Sequence, residues 1–365
     1  MDVKRKELLS ALQKCMPGVE TGAVLLEGAD TFIFSDGKIL TYNDHVSVTV
    51  PFIADASKLE VSDEVLTGAV KAKEFYKLLS KLNNDELKIV QSENSWILKC
   101  GAAKAELTLL ESTILERAKG LSVEIKEWKP LSEFFNDALQ QCQFTSNRSA
   151  MSGIILKDGL MMSTDEMRIN LYSIGDGSGA FWIAQEAANE LMKMTSVIEY
   201  GLNNSWVHFR TKDGVVFSCK RLQDEKYPFE KVKSLFESHQ ITEDDLKFEM
   251  PADLPAAAER ASVFSTDIDS YSTIQLTFSK EGIEIYSKRS TGKFVEKVLW
   301  DKPFEKDFES LIVNVDSAMI NYGLKRSRSF AVKQSKMGPM TVSRLLFSGD
   351  KIQHLLSTLK QKVEA

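Results

Sequence analysis

Apolar residues recur along this chain in two rhythms, a three-to-four spacing that marks one face of a helix and an every-second spacing that marks one face of a strand. Phe75, Leu78, Leu79 and Leu82 fall at i, i+3, i+4 and i+7, as do Leu254, Ala257, Ala258 and Ala261. Leu131, Phe134, Phe135, Ala138, Leu139 and Cys142 extend the same kind of stripe. Each stripe predicts a helix with one buried face. Short alternating runs at 31–34 and 283–286 predict strands, and Asp36-Gly37 and Glu281-Gly282 beside them suit tight hairpins. Antiparallel sheet should therefore form the bulk.

The two rhythms repeat in a fixed order. A unit of roughly 120 residues, one third of 365, occurs three times, and each unit is two half-units that open with a helix and continue in short strands. The first half-units open with RKELLSALQKC, LSEFFNDALQQC and ADLPAAAERASVF. Strand-like runs follow, among them AVLLEG, TFIFSDG and KILTYND in the first. The second half-units open with KEFYKLLSKL, QEAANELMKM and VDSAMINYGL. Between units lie two charged, weakly periodic stretches, about 112–126 and 231–247, that read as connectors. The predicted domains are 1–122, 123–245 and 246–365 of an α+β chain.

Composition adds bounds. With 365 residues, 43% of them hydrophobic and 27% charged, the chain can bury several cores. No apolar run approaches the roughly 18 to 20 residues that span a bilayer, and the opening MDVKRKELLSALQK reads as an amphipathic helix, so a cytoplasmic protein without membrane contact is expected. Cys15, Cys100, Cys142 and Cys219 are widely spaced inside apolar segments with no CxxC pair, and read as reduced core residues.

The net charge is −6, so what matters is where the basic residues lie. Lys73, Lys77 and Lys81 stand at i, i+4 and i+8, opposite the apolar stripe of their helix. Like charges at that spacing destabilise a helix by roughly 0.2 to 0.5 kcal/mol per pair, so helix stability does not explain them. Arg5, Lys6 and Lys14 fall on the first helix, Lys193 on the fourth and Arg260 on the fifth, with Lys325 and Arg326 at the end of the sixth. Arg148 follows the third. Acid clusters elsewhere, at Asp63-Glu64, Glu243-Asp244-Asp245 and between Asp301 and Glu309. Helices sharing one surface would make a basic wall, and duplex DNA, with about one charge per 1.7 Å of axis, is its natural partner. No base-reading helix or interleaved aromatic accompanies the basic residues, so contacts should go to phosphates regardless of sequence.

Signals of catalysis or of a cofactor are weak. Gly175-Asp176-Gly177-Ser178-Gly179 lacks the Gly-Lys-Ser/Thr ending of a phosphate loop and reads as a hairpin turn. His45, His208, His239 and His354 are isolated, without metal-ligand spacing. Asp165-Glu166 reads as a turn, as do Lys212-Asp213-Gly214 and Lys280-Glu281-Gly282. No metal, cofactor or catalytic group is expected.

The architecture and three segments resemble the DNA sliding-clamp family, most closely its bacterial beta-clamp type, along nearly the whole chain. Ser163-Thr164-Asp165-Glu166-Met167-Arg168-Ile169 resembles the family's Thr-Asp-Gly-His-Arg-Leu run. Arg221-Leu222-Gln223-Asp224-Glu225-Lys226-Tyr227-Pro228 resembles its Lys-Leu-Val-Asp-Gly-Arg-Phe-Pro, and the helix with Asn189-Glu190-Leu191-Met192-Lys193-Met194 resembles a clamp helix. The resemblance implies three domains per subunit, two subunits closing head to tail into a ring of six domains, helices lining the hole and sheets outside. Three units per chain argue against the eukaryotic type with two.

It further implies a processivity factor that tethers a DNA polymerase and docks it, or a clamp loader, through a peptide pocket. Carried over, the pocket comprises Met151, Thr164, Met167, Arg168, Ile169, Pro228, Lys231 and Val232, completed by Leu355, Leu356 and Leu359. Exposed apolar residues around a proline and one arginine suit a short apolar peptide. A subunit contact would join an edge strand near Leu107 and Leu109 to the region of Val263 and Phe264. The chain departs from the family at Glu166-Met167, where the family has Gly-His, and at its C-terminus, which reads Leu355-Leu356-Ser357-Thr358-Leu359 and then a charged tail. Two other classes compete. A β-rich assembly protein would leave DNA association unchanged when Lys73, Lys77 and Lys81 are neutralised, and an enzyme with an unfamiliar site would need a conserved polar cluster.

Overall fold

The structure, a computed structural model, describes residues 1–22, 24, 26–52, 65–121, 125–146, 148, 150–175, 179–242, 245–268, 271–304, 306–337 and 340–359. Asp63-Glu64, Glu243-Asp244, the Asp176-Gly177-Ser178 part of the glycine-rich run and the charged tail after Leu359 lie outside them. Eight α-helices occur among the described residues: α1 Arg5–Cys15, α2 Ala72–Lys81, α3 Ser112–Leu121, α4 Phe135–Gln141, α5 Gln185–Leu191, α6 Phe229–Glu237, α7 Leu254–Ser262 and α8 Ser317–Leu324. The strands associate antiparallel throughout, as the alternating runs predict.

The chain divides into two compact units, Met1–Asn136 with Phe181–Leu222, and Asp137–Ala180 with Gln223–Ala365. In the first, one sheet runs Asp2–Lys4, Glu86–Gln91, Ser95–Cys100, Ala103–Thr108 in that order. A second, eight-stranded sheet runs Gly68–Lys71, Thr31–Ser35, Lys38–Tyr42, Val46–Pro51, Val216–Lys220, Trp206–Thr211, Val197–Leu202, Lys129–Pro130. Its middle pairing joins Val46–Pro51 to Val216–Lys220, strands far apart in sequence. The inward residues of α1 and α2, Leu8, Leu12, Phe75 and Leu79, are fully buried. Phe34, Phe75 and Trp96 interlock edge to face, with Phe34 and Trp96 centroids 4.9 Å apart, a geometry favoured by the ring quadrupoles.

In the second unit the strands Ile154–Lys157, Leu160–Thr164, Arg168–Ser173, Ile352–Ser357, Met340–Ser348, Ser329–Met337 and Leu246–Glu249 follow one another in one sheet. Here too the seam pairs distant segments, Arg168 with Leu356 and Ile169 with Leu355. A smaller sheet runs Thr266–Ile268, Tyr271–Phe278, Gly282–Arg289, Gly292–Leu299, with Leu311–Asp316 on the other side of Tyr271–Phe278. Small Ala257, Ala258 and Ala261 let α7 sit low on a core shared with Ile320 and Leu324 of α8. Asp316 starts α8 by accepting the amides of Ala318 and Met319 at 3.0 and 2.9 Å, which satisfies two otherwise orphaned donors.

Several expectations change. AVLLEG is not a strand where it is described: Ala29 N–H bonds back to Leu26 in a turn, and Gly28 takes φ +81, a conformation that suits only glycine well. The helix expected from Leu131 begins at Phe135, because the Leu131 N–H bonds the Ile198 carbonyl of a strand. Both supposed connectors contain helix. α6 buries Phe229, Val232 and Phe236, and α3 buries Ile114. The hairpins hold as read, with Asp36 and Gly37 both at positive φ between paired Ser35 and Lys38. All four cysteines are free and buried. Burial raises the thiols of Cys15 and Cys219 far above the ordinary range, and that of Cys142 to about 12.

Candidate nucleic-acid interface and docking site

α2 forms because Phe75 and Leu79 anchor one face, and that anchoring leaves Lys73, Lys77 and Lys81 exposed on the other. Among the described residues none of the three has an ion-pair partner. α1 lies against α2, tied by the Arg5 guanidinium, which donates to the Leu79 and Asn84 carbonyls at 3.1 and 2.9 Å. Arg5 thus serves the packing of two helices. Exposed Lys6 keeps its ammonium free of ion pairs among the described residues.

The remaining basic residues have partners. Lys14 pairs with Asp213 at 2.6 Å, Arg148 with Glu166 at 2.8 Å, Lys193 with Glu190 at 2.6 Å and Arg260 with Glu296 at 2.5 Å. Lys325 pairs with Glu259. Arg326 stacks on the Tyr322 ring with its guanidinium carbon 3.9 Å from the centroid. Exposed pairs of this kind are worth about 0 to 1 kcal/mol and exchange readily for another anion, so pairing lowers these residues' availability without removing it.

The residues expected at a docking pocket all fall in the second unit. A hairpin turn brings Thr164 opposite Ile169, and the last strand sets Leu355 and Leu356 beside Ile169 and Arg168. The Met167 carbonyl accepts Ser357 N–H at 2.8 Å. Asp165 organises the turn: its Oδ1 accepts the amides of Met167 and Arg168, and its Oδ2 takes a two-pronged bond from the Arg168 guanidinium at 2.9 and 2.7 Å. That guanidinium lies 3.8 Å over the Phe144 ring, which meets Tyr322 edge to face. Asn170 bonds Tyr322 and His354, and burial beside Arg168 and Arg326 pushes the His354 imidazole down to about 3.

The apolar members differ from expectation. Ile169, Val232, Leu355 and Leu356 are 6%, 7%, 3% and 0% exposed, and Thr164 is buried as well, so they form a floor instead of an open apolar surface. Met151, Met167, Arg168 and Pro228 are half-buried, and Lys231 is exposed. Met151 sits in a turn closed by the Arg148 carbonyl, and α6 carries Pro228, Lys231 and Val232 at its start. Lys157 ties that helix to the sheet, 4.9 Å over the Phe229 ring and 3.5 Å from Glu230. Phe144, Asp165, Asn170, Tyr322 and His354 were missed as members of this neighbourhood. The Asp165 to Arg168 spacing is the one signal that a turn-bound ion pair leaves in the sequence.

At the expected subunit contact, Ala103–Thr108 and Gly292–Leu299 each end their sheet with one side unpaired among the described residues. Leu107 is half-buried opposite Trp96, and Leu109 packs beside Gly68. Val263 is 65% exposed at the end of α7, while Phe264 turns in against Gly292.

Among the described residues no helix is long and apolar enough to cross a membrane, and no group of side chains could hold a metal ion. No protein-family model and no curated protein matches the chain by sequence. Solved structures match it along its length. The DNA polymerase sliding clamp of Bacillus subtilis is 18% identical with a TM-score of 0.77, over 99% of this chain and 98% of that one. The beta clamp of Helicobacter pylori, solved with 3,4-difluorobenzamide, is 14% identical at 0.78, over 99% and 100%. The DNA polymerase III beta chain of Streptococcus pneumoniae is 16% identical at 0.76, over 99% of each. Repeated helix-and-strand units, sheets continued by strands far apart in sequence, and these full-length matches together give the chain the fold of the bacterial DNA sliding clamps.

Proposed function

We propose that this chain is a DNA sliding clamp that encircles duplex DNA without sequence preference, tethers a DNA polymerase, and performs no chemistry. The observation that carries the reading is α2, where three exposed lysines stand on one face at a helical spacing that weakens the helix and without ion-pair partners among the described residues. On a fold shared with sliding clamps, such a face suits phosphates, and ring closure would turn weak contacts into retention by topology.

In this reading the chain comprises three domains, 1–122, 123–245 and 246–365. Two copies close head to tail, with the open strand Ala103–Thr108 of one meeting the open edge of Gly292–Leu299 in the other, near Val263. Two facing edges would satisfy each other's free backbone groups. Lys6, Lys73, Lys77 and Lys81 would make the first phosphate contacts. Arg5, Lys14, Arg148, Lys193, Arg260, Lys325 and Arg326 lend positive potential. Polymerase and clamp loader would dock peptides over the Thr164–Ile169 hairpin, against Met151, Met167 and Pro228. The protein would work in the cytoplasm.

The test is mass and topology. In solution the protein should weigh twice the 41.0 kDa of one chain. Loaded by a clamp-loading ATPase onto nicked circular duplex, it should stay bound and be released when the circle is cut. A strict monomer at tens of micromolar, or equal retention on cut and uncut circles, would refute the proposal.

A further inference from the structure

A second basic surface lies away from the helices, on the four-stranded sheet of the first unit. Register places Asp2 opposite Lys88, Lys88 opposite Lys99 and Lys99 opposite Lys104. All three lysines are exposed, and cross-strand partners share a face, so three ammonium groups stand in one row. With strands about 4.8 Å apart, the row spans roughly 10 Å.

Like charges directly opposite each other disfavour a sheet. Lysine on an edge strand guards against unwanted pairing, and that accounts for Lys104 on the outermost strand. It does not account for Lys88 and Lys99, which sit on inner strands. The nearby acids are diverted. Glu86 pairs with Lys4, Glu106 accepts the Ser95 hydroxyl at 2.8 Å, and Asp2 forms no ion pair with Lys88 among the described residues. Lysines elsewhere, such as Lys14, Lys71, Lys280 and Lys302, do have carboxylate partners.

The geometry points to Lys88, Lys99 and Lys104 as a docking site for a short acidic peptide segment of a protein partner. Two features select that occupant over nucleic acid. The row is only long enough for two or three carboxylates. The neighbouring positions are Val90 and Ile97, partly exposed, which offer apolar contact where nucleic acid would need a stacking ring; Trp96 points into the core. The site is separate from the α2 stripe and stands whether or not the chain is a clamp.

The probe is a fluorescein-labelled nonapeptide of alternating Glu and Leu, titrated with the full chain by fluorescence anisotropy, alongside a short duplex. Replacing Lys88, Lys99 and Lys104 together by Gln should weaken peptide binding about three- to hundredfold, the product of three exposed ion pairs, and change duplex binding less than twofold. The triple Gln variant at Lys73, Lys77 and Lys81 should bind the peptide as wild type does. Removing like-charge neighbours should leave the fold intact, which an unfolding midpoint equal to or above the wild type's would confirm. Failure of the wild type to bind at millimolar concentration overturns the proposal. So does equal loss in both triple variants, which would mean unspecific attraction. Loss of duplex with the peptide unaffected would assign the row to phosphates and overturn it likewise.

Discussion

Replacing Lys73, Lys77 and Lys81 together by Gln should separate DNA binding from stability, because the structure sets the two effects at different sizes. Each lysine that neutralises a phosphate contributes about 0.9 to the slope of log affinity against log salt, so the variant's slope should be shallower by about 2.7 per subunit. Between 50 and 200 mM salt the wild type should then lose about fortyfold more affinity than the variant does for each subunit that engages the duplex. Stability should scarcely move. Relief of two like-charge pairs returns about 0.4 to 1 kcal/mol. Loss of Lys81 from the last turn, where it faces the helix dipole, removes about 0.3 to 1 kcal/mol. The balance lies within about 0.7 kcal/mol of zero. Anisotropy of a labelled duplex across that salt range gives the slope, and urea unfolding gives the balance. An unchanged slope with normal unfolding would refute the reasoning, since exposed ammoniums without partners would then be shown not to meet phosphate.

Two further outcomes follow from burial. His208 is 5% exposed between Ser218 and Asn203, and burial lowers its imidazole to about 4. Because the folded state refuses a proton that the unfolded state accepts below about 6.5, its contribution is complete above that pH and is lost as pH falls towards 4, in all about 3 kcal/mol. His208→Gln should lower the slope of stability against pH in that window by about 1.4 kcal/mol per pH unit, and His354 should sustain a similar term; urea midpoints from pH 4.5 to 7.5 would show a parallel curve if the reasoning is wrong. The four buried thiols should resist an aromatic disulfide reagent in the native protein and react fully in denaturant, and rapid native labelling would contradict the packing.

The sequence discloses faces better than partners. The α2 stripe was readable because Phe75 and Leu79 repeat at helical spacing and the lysines fill the opposite side. α6 was not, since Glu230, Lys231, Lys233 and Glu237 mask the spacing of Phe229, Val232 and Phe236. Leu131 and Phe134 continue a helical stripe, yet a hydrogen bond from Leu131 to Ile198 draws the chain into a sheet first. Here tertiary pairing overrides local periodicity. Of the basic residues, position on a helix was evident and pairing was not: Lys14 meets Asp213 from 199 residues away, and Arg260 of α7 meets Glu296 on the strand Gly292–Leu299. The lysine row needs the register of three strands before it exists at all.

The discontinuity of the two units also bears on synthesis. The first unit needs Phe181–Leu222, so a growing chain that has emerged as far as residue 136 carries Val46–Pro51 as an unfilled edge whose native neighbour, Val216–Lys220, has not yet been made. Non-local pairings of this kind are slow to form, and an open edge is a template for the wrong strand. A shortened product ending near residue 122 should therefore be prone to self-association, and the interval between residues 136 and 222 is when a ribosome-bound chaperone would protect it most.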